Sequence, residues 1–197
     1  MKTLQITVKL FALLLVVMAT SCSSDDNPLH ANPDPIGDSH FYELTFSGGP
    51  VAGDTFSGTI ANGSDSSGAV AVRTISTNNG GTEEDTMVLT LLDEIHTPNI
   101  SLGMVLTMNN NQGMDFGPSV TETSSGMSIT YNNYVMNTIS GSSTITNYGQ
   151  SNVYSGVAYA HFTITFSAEM EVGYVNQTET FTTQVTGTIH VKRFPIP

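Results

Sequence analysis

Between His161 and Val172 the chain alternates without a break. Phe162, Ile164, Phe166, Ala168, Met170 and Val172 fall on one parity; His161, Thr163, Thr165, Ser167, Glu169 and Glu171 fall on the other. A two-residue period over this length is the signature of a β-strand with one face in the core and one in water. Phe181, Val185, Ile189 and Val191 repeat the pattern after a loop around Asn176, now on odd numbers. Two such strands paired as a hairpin must bring apolar face to apolar face, so paired positions sum to an odd number. A sum of 351 sets Met170 opposite Phe181, Phe166 opposite Val185 and Phe162 opposite Ile189, and it sets His161 opposite His190 on the outer face.

The same period recurs upstream. Tyr42, Leu44 and Phe46 alternate with Glu43 and Thr45 before Gly48-Gly49-Pro50. Phe56 and Ile60 flank Gly58, Val70 and Val72 begin a third strand, and Met87 to Leu92 read as a strand buried on both faces. Ile100, Leu102, Met104, Leu106 and Met108 share one parity before Asn109-Asn110-Asn111. Short strands are expected between Gly126 and Val157, in a register the pattern does not fix. Roughly nine to ten strands separated by Gly/Asn/Ser turns predict an all-β antiparallel sandwich, with a calycin-like β-barrel as the alternative.

The N-terminus has a different character. Lys2 and Lys9 precede a ten-residue apolar run, Leu10 to Ala19, too short for a spanning helix of about 20 residues and matched to a secretory signal. Ala19-Thr20-Ser21-Cys22 follows, then Ser23-Ser24-Asp25-Asp26. These residues resemble the lipobox and the Ser/acidic export run of Bacteroidota surface lipoproteins. The resemblance implies cleavage before Cys22, acylation of that cysteine, and a lipid-anchored protein at the cell surface on the outer membrane. The expected organisation is therefore a signal peptide (1–21), an acylated Cys22 with a proline-containing tether (22–39), and one all-β domain (40–197). Cys22 is the only cysteine, so no internal disulfide is available.

Charge narrows the partners. The 17 acids all follow the leader, against three bases there (Arg73, Lys192 and Arg193), leaving the exported chain at −14 with histidines neutral. Such a chain repels phosphate backbones, which excludes nucleic acid as a partner. The membrane, through the anchor, and a glycan or protein ligand remain.

Candidate chemistry is sparse. No G-x-S-x-G elbow is present and the lone cysteine is assigned to the lipid, so no nucleophile stands out and no catalytic residue is expected. Glu169 and Glu171 share one strand face, which reads as solvated rather than as an acid/base pair. His161 and His190, if opposite, offer two imidazoles toward a metal that needs a third ligand. Asp65, the run Glu83-Glu84-Asp85, and Asp115 lie in acidic turns that can supply oxygens to Ca²⁺; Asn and Asp also populate turns for conformational reasons alone, and no cofactor is expected. Tyr131, Tyr134, Tyr148, Tyr154 and Tyr159, five of the seven tyrosines, fall close together among Asn and Gln side chains. Aromatic faces beside amides suit a sugar-binding surface. Asp85-Thr86-Met87 also matches the short O-glycosylation motif of Bacteroidota exported proteins. The expected function is a cell-envelope lipoprotein serving as a non-catalytic binding module, with a purely structural envelope component and a hydrolase as the alternatives.

Overall fold

The computed structural model describes residues 39–61, 67–77, 81, 83–96, 98–117, 125–151, 158–174 and 179–193. They form ten strands: β1 (Ser39–Ser47), β2 (Thr55–Ala61), β3 (Gly68–Thr77), β4 (Glu83–Asp93), β5 (Ile100–Asn109), β6 (Gln112–Gly113), β7 (Gly126–Tyr131), β8 (Tyr134–Gln150), β9 (Ala158–Tyr174) and β10 (Thr180–Val191). A single 3₁₀ turn, Gly49–Val51, separates β1 from β2. The all-β antiparallel expectation holds, in a sandwich- or barrel-like arrangement. Among the described residues no helix is long and apolar enough to cross a membrane.

Connectivity is sequential. The strand order is β2-β1-β10-β9-β3-β4-β5-β7-β8, and β8 pairs back onto β9. Nearly every strand thus lies beside its chain neighbour, and the last strand returns to the first. β9 is paired on both edges, with β8 along one and with β10 and then β3 along the other. No ladder joins β2 to β3 among the described residues.

The inner parity of each strand fills the interior. Leu44, Ile60, Leu89, Met104, Phe162 and Ile164 are fully buried, and β5 carries its five apolar residues inward as the alternation predicts. Two strands differ in detail from expectation. On β3 the inward residues are Ala69 and Ala71, while Val70 and Val72 face outward and are half-buried. On β4 Met87, Leu89 and Leu91 are buried but Val88, Thr90 and Leu92 only half so. Each fully buried aliphatic or aromatic side chain contributes about 1.5–3 kcal/mol before chain entropy is set against it.

The β9–β10 hairpin forms with the expected parity but two residues out of the expected register. Met170 stands opposite Thr183, Phe166 opposite Gly187, Ile164 opposite Ile189 and Phe162 opposite Val191. Side-chain volume decides the slip. A Cβ at Gly187 would lie 2.7 Å from both the Phe166 ring and Leu44 Cδ2, so the large ring is accommodated by the smallest residue. Phe181 consequently moves to the hairpin end and is exposed.

The stretch whose register the pattern left open contains two irregularities in the β8–β9 ladder, between Thr138 and Ser140 and between Thr146 and Gly149. Gly141, at φ 151°, adjoins the first, and a Cβ there would fall 2.4 Å from Ser167 O. Beyond β7, the outer edge of β8 is satisfied by a side chain. Gln112 donates from Nε2 to Ile145 O at 2.8 Å and accepts from Ile145 N at 2.9 Å, reproducing the two bonds of a neighbouring strand.

The outer face of β8, β9, β10, β1 and β2 is hydroxyl-rich, and the ladders align it in ranks. One rank runs Thr144, Thr165, Thr188, Glu43, Ser57 across the five strands.

Candidate functional site

The four described tyrosines of the five do not form one surface. Tyr131 and Tyr134 lie at one end of β8 and Tyr148 near the other, about 45 Å apart along an ideal strand. Tyr131 packs in the core against Phe46 and Phe56, and its hydroxyl donates to Asp54 at 3.0 Å. Burial beside that carboxylate raises the phenol pKa well above its usual value. Tyr134 is half-buried and meets the Tyr174 ring edge-on. Tyr148 is half-buried beside Arg73, whose guanidinium carbon sits 5.4 Å from the ring centre and whose Nη1 donates to the hydroxyl at 2.8 Å. Tyr159 faces Val72 in the short β3–β9 ladder. Tyr154 lies outside the described residues.

The metal candidates are likewise dispersed. The hairpin slip places His190 opposite Thr163, with Nδ1 3.0 Å from its hydroxyl, and His161 opposite Gly149, so the two imidazoles are not a cross-strand pair. Asp85 binds Arg73 through Nε at 2.7 Å and through Nη2, and this pairing raises the guanidinium pKa further. Glu83, Glu84 and Asp115 are exposed. Asp65 and Cys22 lie outside the described residues. Among those described, no three His, Cys, Asp or Glu side chains stand close enough to share a metal ion.

A different cluster is centred on Asp93, which four hydrogen-bond contacts hold. Asp93 ends β4 with its side chain fully buried. One carboxylate oxygen accepts the backbone amides of Ile95 and His96, at 2.9 and 3.1 Å, which folds the strand end into a turn. The other oxygen accepts from Tyr42 Oη at 2.7 Å and lies 2.6 Å from His96 Nδ1. Burial alone would raise the pKa of this carboxyl, but the four hydrogen bonds outweigh it and hold the pKa below the ordinary carboxylate value. An ionised carboxylate only accepts, so neutral His96 carries its proton on Nδ1 and leaves the Nε2 electron pair unused by this contact. The same contacts raise the Tyr42 phenol pKa, burial being the largest cause.

This network underlies a shallow depression of about 370 Å³ lined by Phe41, Tyr42, Glu43, Ser57, Gly58, Thr59 and His96. Gly58 is required at its floor: a Cβ there would sit 2.6 Å from both Asp93 Oδ2 and Tyr42 Cε1. Phe41 is fixed by stacking on His190, ring centres 5.4 Å apart and planes within 22°. The depression thus gathers a carboxylate, two hydroxyls, an oriented imidazole and an aromatic ring from β1, β2 and the loop after β4. A second depression of about 470 Å³, which includes Glu94, Asn99, Tyr131 and Asn132 in its lining, lies beyond the end of β4. Nothing in the sequence pattern singled out Asp93 or His96. The one available signal was an aspartate closing an apolar strand three residues before a histidine.

The chain matches no protein-family model, and no curated protein and no solved structure is significantly similar to it.

Proposed function

We propose that the protein is a lipid-anchored cell-envelope protein, held through Cys22 at the outer-membrane surface and acting as a non-catalytic binding module. The address rests on the residues around Cys22. Several acyl chains, at about 0.8 kcal/mol per buried methylene, hold such a protein stably on a bilayer. The observation that carries the binding role is the Asp93–His96 depression. A buried carboxylate fixes an imidazole in a depression that Glu43, Ser57 and Thr59 also line, while buried apolar side chains occupy the core. A ligand is therefore met at the outer surface.

Two measurements test the reading. Cys22→Ala releases the chain from the membrane fraction into the soluble fraction; unchanged fractionation refutes the anchor. The imidazole NMR signal of His96 shifts when the acylated protein meets its ligand. If neither saccharides nor envelope proteins move that signal, the binding role is lost.

A further inference from the structure

We infer that the ligand is a neutral saccharide chain, seated by one ring in the depression between Phe41 and His96 and running from there across the hydroxyl ranks of the outer face. The inference rests on the binding role proposed above and adds the ligand class and its path.

Chemistry in the depression selects the class. Glu43 accepts hydrogen bonds, His96 accepts through Nε2 when neutral, and Ser57 and Thr59 both donate and accept. A polyol presents many hydroxyls that donate and accept at once, and it satisfies all four groups. Among the described residues no lysine or arginine lines the depression, and the chain is strongly acidic, so anionic ligands are repelled. The volume, about 370 Å³, falls in the lower part of the roughly 300–1,000 Å³ range of small-ligand sites.

The ranks select the path. Glu43 and Ser57 belong both to the depression and to the rank that continues through Thr188, Thr165 and Thr144. Beside it runs a second rank, Ser142, Ser167, Thr186, Thr45 and Thr55, exposed on all five strands. Neighbouring strands lie about 4.8 Å apart, so each rank extends about 19 Å, enough for several sugar rings. A protein partner is a poorer fit. Protein hot spots are built on large aromatic side chains and arginine, whereas Ile75, Ile95, Met114 and Phe181, the large apolar side chains exposed among the described residues, all lie off these ranks.

The test is titration calorimetry on the full acylated chain, kept in a detergent without a sugar headgroup. The probes are neutral hexasaccharides of glucose, mannose and xylose, with a galacturonate hexamer as an anionic control of equal length. At least one neutral hexasaccharide binds, the galacturonate hexamer does not, and Glu43→Gln and Ser57→Ala each weaken binding about tenfold. Both substitutions are at exposed strand positions, and a circular-dichroism melt matching the parent confirms their folding. Neutral binding that is unchanged in both variants overturns the site, and equal binding of galacturonate overturns the ligand class. If no neutral hexasaccharide binds while an envelope protein shifts the His96 signal, the saccharide inference falls and the binding role stands. If neither acts on His96, both fall.

Discussion

Tyr42 on β1 and Asp93 at the end of β4 share a 2.7 Å hydrogen bond across 51 residues of chain. It spans the interval where the sheet order has no ladder among the described residues: β1 neighbours β2, β4 neighbours β3, and no pairing joins β2 to β3 there. The side-chain bond ties together two strands that backbone hydrogen bonds leave unjoined there. Tyr42→Phe removes the hydroxyl and deprives a buried carboxylate of one partner, at a cost of about 1–3 kcal/mol. A fall in the urea midpoint with an unchanged slope is the expected reading.

The pH dependence has a definite sign on each limb. The pKa of Asp93 is lowered in the folded state, so its contribution is complete above the unfolded carboxyl pKa, near 3.9, and is lost as pH falls through the lower folded value. The phenols of Tyr42 and Tyr131 are raised, so their contribution is complete below the unfolded pKa, near 10, and is lost as pH rises above it. Chemical denaturation of the parent from pH 2 to 12 should therefore decline at both extremes. Tyr42→Phe should flatten the alkaline limb.

Gly187 opposite Phe166 sets the register of the β9–β10 hairpin. Gly187→Ala places a methyl 2.7 Å from the Phe166 ring and 2.9 Å from Glu43 O. Backbone cannot yield as a flexible side chain does, so a loss of about 1–3 kcal/mol is expected. A thermal melt measures it, and an unchanged melting temperature contradicts this account of the register.

Gln112 holds Ile145 as a strand would. Gln112→Ala frees the amide and carbonyl of Ile145 and should lower stability by about 1 kcal/mol. The more specific readout is hydrogen exchange at the Ile145 amide, which should quicken more than exchange at its neighbours in β9.

The alternations of β1, β5, β9 and β10 identified their inward faces correctly because a two-residue period is set by burial alone. Register was not legible to the same degree. The parity rule admits every odd sum, and the choice between 351 and 353 rests on the volume of Phe166 against Gly187, a three-dimensional fit. That two-residue slip separates His161 from His190. The tyrosines misled for a related reason: closeness in sequence becomes distance when a 17-residue strand lies between them. The turn asparagines behave as turn chemistry requires, with Asn110, Asn111 and Asn132 all at positive φ; Asn147 shares that conformation at the second irregularity of β8. Asp93 and His96 were hidden because an Asp-Glu-Ile-His loop has no distinctive spacing, and its partner Tyr42 lies 51 residues away.

The return of β10 to β1 has a consequence for biogenesis. Lys192 N bonds His40 Nδ1 across 152 residues, and the β1–β10 ladder beside it joins the first and last of the described strands along the chain. Such pairings give high contact order and slow closure. A chain made N-terminus first must hold β1 with one edge unpaired until the twelve-residue β10 has been synthesised. Through that interval the exposed edge can be taken by another chain, so folding favours a factor that shields this edge and penalises truncation before Thr180.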